Sequence, residues 1–288
     1  MTRARYKHLI DEENNFVSRE DVKIYYPDRF STPKNLLVGL GSTSDLFGPE
    51  LEFGRIVANM YDGPTLIVKA AYGGMDLAVD FRPPSRGFSN YTNYEQGVSQ
   101  DVEEQLIGAE SYGKYYNLTM DAVHDAVSMI EAGTVFNGST TWDLKGLVWF
   151  HGWNDHINRR KLDEYEENLK SLIRDLRIDL NESELPVVIG ELGQGGIHPE
   201  GSKAVAAKTV DMRRIQRSVA HCDEFRNTTS FAMTSTYFVE VGEGDEQYNG
   251  GYHYYGRADT FAQIGQSFGQ MIVQLMEDIS YLAVAAGS

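Results

Sequence analysis

Residues 146–155 read Gly146-Leu147-Val148-Trp149-Phe150-His151-Gly152-Trp153-Asn154-Asp155, and they constrain the fold more than any other stretch of the chain. The run Leu147 to Phe150 is apolar at every position, which suits a parallel strand buried on both faces. It stops abruptly at a polar turn carrying His151, Asn154 and Asp155. In open α/β sheets the carboxyl ends of the strands are where ligands bind. An Asn amide at such an end can donate to a developing oxyanion, and an Asp can accept from a histidine.

The rest of the chain repeats this alternation. Thr65–Ala70, Leu144–Phe150, Pro186–Ile189 and Phe231–Thr234 are short, mostly apolar and followed by polar or glycine-containing turns. Between them lie amphipathic segments: Asp121–Ala132, Lys161–Leu180, Lys203–Ala220 and Thr260–Met276. In the second of these Leu162, Tyr165, Leu169, Leu172, Ile173 and Leu176 recur at helical spacing. Strands alternating with helices predict an α/β, three-layer sandwich. A length of 288 residues fits a single domain over residues 1–288. Two aromatic and glycine- or proline-rich stretches, Phe81–Gly97 and Glu240–Tyr255, read as long loops of the kind that line sites. Their tyrosines and Trp153 suit stacking on sugar rings, or equally packing under a loop.

Charge and cysteine content narrow the function classes. A net charge of −16 argues against a nucleic-acid partner, which needs a basic footprint. No apolar run reaches the roughly 18 residues of a membrane span, and no apolar segment behind Met1–His8 marks a secretory signal. Cys222 is the only cysteine, so no intrachain disulfide and no cysteine metal cluster can form; it reads as structural.

Several constellations carry chemistry or its bland counterpart. Gly39–Ser44 and Gly193–Gly196 are glycine-rich but lack the residues of nucleotide fingerprints, and read as turns. His151 and His156 flank Asp155 without an obvious third ligand, so a metal site is not expected. Gly73 and Gly74 follow an apolar strand, where backbone N–H groups can approach a substrate closely; a plain tight turn fits as well. His253, within Gly250-Gly251-Tyr252-His253-Tyr254-Tyr255-Gly256, is free to face a pocket as a general base.

Four blocks, Phe47–Leu51, Val68–Gly74 with Asp80–Ser85, Val148–Asp155 and His253 to Gly269, together resemble the sialate O-acetylesterase-like carbohydrate esterases, a branch of the SGNH hydrolases. Phe47-Gly48-Pro49-Glu50-Leu51 resembles the family's FGPE segment. Val68-Lys69-Ala70-Ala71-Tyr72-Gly73-Gly74, followed by Asp80-Phe81-Arg82-Pro83-Pro84-Ser85, is similar to its IKTAWGG…DFRPPS block. Val148 to Asp155 is similar to WFQGWND, with His151 in place of the usual Gln. His253-Tyr254, Gly256, Ala258, Ile264-Gly265 and Gly269 resemble the family's ending.

The resemblance implies a flavodoxin-like, mostly parallel sheet and hydrolysis of acetyl esters on sugars by Ser, His and an acid. It implies an acetylated carbohydrate as substrate and no metal or organic cofactor. Carried over by position, His253 is the expected general base, and Gly73 and Asn154 the expected oxyanion donors. Asp155 is the expected acid, because the position three residues before His253, where many relatives carry one, is Gly250. Gly74, His151, Trp153 and Tyr252 are the expected substrate contacts. Such proteins are often exported.

One departure is large. The family opens with a strand ending in a GQSN-type turn whose Ser is the nucleophile, and no GDS or GQSN occurs in these 288 residues. Ser42 and Ser44 fall where relatives have the segment before FGPE. The expectation is an N-terminally truncated or inactive esterase whose first central strand is missing; the alternative is a non-catalytic carbohydrate-binding protein on the same scaffold. Loss of that strand is expected to leave Thr65–Ala70 and Leu144–Phe150 short of a neighbour, with unpaired backbone groups, unless Val22–Tyr26 takes the place.

Overall fold

The computed structural model describes residues 6–89, 107–199, 203–241 and 250–287. Parts of both predicted loops, 90–97 and 242–249, lie outside the described residues. The strands are β1 (Arg19–Tyr25), β2 (Lys34–Leu36), β3 (Thr65–Val68), β4 (Leu147–Phe150), β5 (Val187–Gly190) and β6 (Thr229–Ala232). The helices are α1 (Glu50–Ala58), α2 (Lys114–Glu131), α3 (Trp153–His156), α4 (Arg159–Asp179), α5 (Lys203–Ala220) and α6 (Ala258–Gly287). The four expected strands and four expected helices are all present, Lys203–Ala220 with the expected ends and the others with shifted ones; α2 begins seven residues before Asp121. Helix α1 follows Pro49, which has helical φ and leads into Glu50.

The strands form two three-stranded sheets in the orders β2-β1-β3 and β4-β5-β6, with β2 antiparallel and every other pairing parallel. Among the described residues β3 pairs only with β1, and β4 only with β5. Thr65–Val68 and Leu147–Phe150 thus each present an edge without a ladder partner, as expected for strands lacking a neighbour. The consequence shows in burial: all four residues of β5 are buried, whereas every residue of β3 and β4 is only half-buried. Val22–Tyr25 lies directly against β3.

Side chains alternate between two helical layers, as a period of two requires. Leu147 and Trp149, with Val187 and Ile189, join α4 and α5 around Leu169, Ile173, Met212 and Val219. Val148 and Phe150, with Val188, meet Ile264, Phe268 and Ile272 of α6. On the other sheet Leu66 and Val68 pack on Ala122 and Ala126 of α2, while Ile67 turns to Leu51 and Ala58 of α1. Helix α6 lies close on α1 because Gly265 and Gly269 present no side chain there. A Cβ on Gly265 would stand 2.1 Å from the Pro49 carbonyl oxygen, and one on Gly269 2.8 Å from Ile56 Cβ. No described helix is long and apolar enough to cross a membrane.

Candidate active site

The carboxyl ends of β3 and β4 are tied together by one carbonyl. Beyond β3 the chain turns through Gly73 and Gly74, the latter at φ +82°, into Met75. The Met75 carbonyl accepts from Asn154 Nδ2 at 2.9 Å and from His151 Nε2 at 3.1 Å. Gly152 makes the bend after β4 at φ +136°, a backbone that a residue with a Cβ rarely adopts. One N–H of the Asn154 amide is thus committed to Met75 and the second remains available. Gly73 is exposed, with nothing within 4 Å of where a Cβ would stand.

His151 is neutral at physiological pH. Burial pushes its imidazole down to about 4, against the opposing pull of the Met75 carbonyl and Asp76. With Nε2–H donating to Met75, Nδ1 is left as an acceptor 3.5 Å from the Tyr165 hydroxyl. The histidine therefore fills the amide position of the related motif with a donor of its own. His156, by contrast, is buried and bonds the Trp153 carbonyl at 2.6 Å, a local structural contact.

The loop after Met75 is fixed by acids and one lysine. Asp155 is fully buried, and its carboxylate accepts from Leu77 N at 2.9 Å and Ala78 N at 3.1 Å. Asp76 accepts from Val79 N at 2.7 Å and pairs with Lys161 Nζ at 2.7 Å, both side chains almost wholly enclosed. Lys161 is placed by the start of α4, where the Asn158 side chain caps the N–H groups of Arg160 and Lys161. Burial and then the Asp76 charge push the Asp155 carboxyl well above the ordinary carboxylate range, against the pull of Leu77 N–H, Lys161 and Ala78 N–H.

Asp155, the expected acid, bonds main-chain N–H groups in this structure. Both of its oxygens serve the backbone of residues 77–78, and it is not hydrogen-bonded to His253. A carboxylate at the start of a short helix is used by the nearest unsatisfied N–H groups, and here the folded-back Leu77–Ala78 segment supplies them. Asp155 anchors the loop that carries Gly73.

Asp80 belongs to the same loop and accepts from Asp76 N at 2.9 Å. Burial and the Asp76 charge push it up to about 6. Because its folded value lies above the unfolded one, the folded state binds more protons between pH 4 and 6, and its contribution to stability is lost as pH rises through that window. Asp80→Asn keeps the acceptor and removes the charge. It is expected to stabilise the protein at pH 7.5 by about 1–2 kcal/mol, allowing for solvent screening of a group that is not fully enclosed. Thermal melts from pH 4 to 7.5 check this: the variant should have the flatter profile.

The His253 segment meets the β4 turn through aromatic rings. Trp153 and Tyr252 are 5.7 Å apart between centroids, and Tyr252 and His253 4.6 Å. His253 is exposed, its ring makes no hydrogen bond, and partial burial pushes its imidazole below the ordinary value, which favours the unprotonated form. The structure thus gathers Gly73, Gly74, His151, Trp153 and Asn154 around the strand ends and connects Tyr252 and His253 to them through Trp153. Ser42 and Ser44 are exposed on the connection between β2 and α1, and neither is bonded to His253.

Two supporting residues escaped the sequence reading. Gln216 of α5 is fully buried; its Nε2 donates to the His151 carbonyl at 2.8 Å, and its Oε1 accepts from Leu192 N at 2.9 Å. It joins the ends of β4 and β5. Arg213, three residues earlier, donates to the carbonyls of Leu192, Gln194 and Gly196. A signal existed for the first: Gln216 is a polar residue on the apolar stripe of Met212, Ile215 and Val219. Cys222 is half-buried against the α4–α5 core.

Solved structures share this fold. A protein from Arabidopsis thaliana superposes with a TM-score of 0.55 at 14% identity, over 90% of this chain and 82% of that one. A carbohydrate acetylesterase from Xanthomonas citri superposes with a TM-score of 0.53 at 11% identity, over 89% of this chain. The match spans about half of the Xanthomonas protein, 49% of its length. No curated protein matches the chain in sequence. The family profile described as carbohydrate esterase, sialic acid-specific acetylesterase, matches residues 31–229, more than half of the chain. On that match, the chain belongs to the sialic acid-specific acetylesterase family of carbohydrate esterases.

Proposed function

We propose that the strand ends at Gly73–Gly74 and Gly152–Asn154, with residues 250–256, form a site for the acetyl ester of a carbohydrate. The observation that carries this reading is the shared Met75 carbonyl, which draws the Asn154 amide and the His151 imidazole to the glycine turn. Gly73 N–H and the second N–H of Asn154 are suited to an ester oxygen that becomes negative in a tetrahedral intermediate. His253, unprotonated at neutral pH, is suited to take a proton from an attacking hydroxyl and return it to the leaving sugar oxygen. Trp153 and Tyr252 offer rings on which a sugar can stack.

Deacetylation on this site needs a nucleophile. The 288 residues contain no serine in a GDS or GQSN setting, and no described serine is bonded to His253. The chain as it stands is therefore read as binding the acetylated sugar without turning it over. The test is hydrolysis of 4-nitrophenyl acetate by the purified 288-residue chain. The expected rate equals that of an unrelated protein at the same concentration. Robust turnover that is abolished by Ser42→Ala or Ser44→Ala would show that the chain supplies its own nucleophile.

A further inference from the structure

We propose that Tyr254 is a positioning residue that pins His253 over the strand ends, using the loop 192–196 as its platform. The inference rests on the proposed role of His253, but the placement it describes can be tested apart from that role. Tyr254 directly follows His253 and, unlike it, is almost wholly buried, at 2% exposure. Its ring lies among Phe150, Phe238 and Phe261, with centroids 5.7 to 6.3 Å away. Its hydroxyl accepts from Gly193 N at 3.2 Å and stands 3.3 Å from Thr234 Oγ1. The Thr234 hydroxyl already donates to the Glu191 carbonyl at 2.8 Å, so the tyrosine O–H is the donor to Thr234.

The platform is held independently of the histidine segment. Arg213 binds three carbonyls between Leu192 and Gly196, and Gln216 fixes Leu192 N, so the amide that meets Tyr254 is fixed in space. The same loop reaches the residue before His253 as well, since Gln194 Nε2 donates to the Tyr252 carbonyl at 3.1 Å. His253 is thus gripped on both sides. Its own side chain makes no bond.

The backbone shows what this grip imposes. Tyr254 and Tyr255 stand at φ +50° and +55°, a left-handed conformation that residues with side chains adopt at a cost and keep only where surrounding contacts hold them. The turn lets Tyr252 and His253 face outward while Tyr254 is driven inward. A buried phenol that merely filled the core would need no such backbone.

The test is NMR of the full chain in three variants. Tyr254→Phe keeps the ring and removes the hydroxyl. The expected result is at least a twofold loss of the nuclear Overhauser effect between the Trp153 indole and the Tyr252 ring. The titration midpoint of His253 should also move up toward the ordinary histidine value. Gln194→Ala, on a partly exposed side chain, should move both readings in the same direction and serves if Tyr254→Phe does not fold. Tyr116→Phe removes another buried hydroxyl bond, the one to Asp179 at 2.6 Å, and should leave both readings at wild type even as it lowers the melting temperature. The proposal is overturned if folded Tyr254→Phe leaves both readings unchanged, or if Tyr254→Phe is unfolded and Gln194→Ala leaves them unchanged. Loss of acetyl-sugar binding to the wild-type site would count against the proposed function and leave this placement standing.

Discussion

Lys161→Met is expected to destabilise the chain by about 3–5 kcal/mol at pH 7.5, the usual cost of removing one partner from a buried ion pair. Asp76 would remain enclosed with its charge unmatched, 2.7 Å from where the ammonium stood, and Asp155 would lose a neighbouring cation. Methionine fills the space of the lysine stem, so the loss reports charge rather than packing. The deficit should shrink toward pH 5 as Asp80, pushed up to about 6 by burial and the Asp76 charge, takes up a proton and leaves the cluster less negative. It should also shrink in the double variant Lys161→Met/Asp76→Asn, since Asn still accepts from Val79 N. Urea unfolding at the two pH values measures both effects, and a loss below about 1 kcal/mol at pH 7.5, the range of exposed pairs, would contradict this account of the cluster.

Asp155→Ala is expected to cost about 2–4 kcal/mol, because Leu77 N–H and Ala78 N–H would be left buried without an acceptor. The loop bearing Gly73 would loosen with them. Asp155→Asn keeps one acceptor oxygen and should fall between the variant and the wild type. The same pair of variants separates anchoring from a catalytic dyad. A carboxylate that orients a histidine raises its imidazole pKa, so removing the charge would lower the His253 midpoint. Here Asp155→Asn should leave the His253 titration where it is in the wild type, read by NMR. A fall of about one pH unit, worth roughly 1.4 kcal/mol of interaction, would restore Asp155 as the partner of His253.

The sequence made the strand ends legible and hid what surrounds them. Leu147–Phe150 and its polar turn announced a strand with donors at its end, and β4 divides its side chains between α4–α5 and α6. Gly73 and Asn154 were legible as residues of the strand ends, since each stands in the turn that follows an apolar run. The main-chain bonds of Asp155 were not legible, because which donors reach a carboxylate depends on how a distant segment folds back, and residues 77–78 are nearly eighty positions away. Lys161 read as one more charge at the start of an amphipathic helix; only the fold turns it inward to Asp76. Helix α1 escaped pattern reading because it is only nine residues long, carries Gly54 at its middle and borrows its stability from α6. The split of the strands into two sheets reflects pairing across long separations, which no local pattern carries.

Recognition of the acetyl group at the joined ends of β3 and β4 is the proposal on which the reading of the site depends. It is tested most directly by titrating a methyl glycoside bearing an O-acetyl group into the 15N-labelled chain, beside the same glycoside without it. Saturable shifts of the Gly73 amide, the Asn154 side-chain amide and the Trp153 indole are expected with the acetylated sugar. With the deacetylated sugar Gly73 and Asn154 should stay unmoved. Equal shifts with both sugars, or saturable shifts confined to residues away from these strand ends, would contradict it.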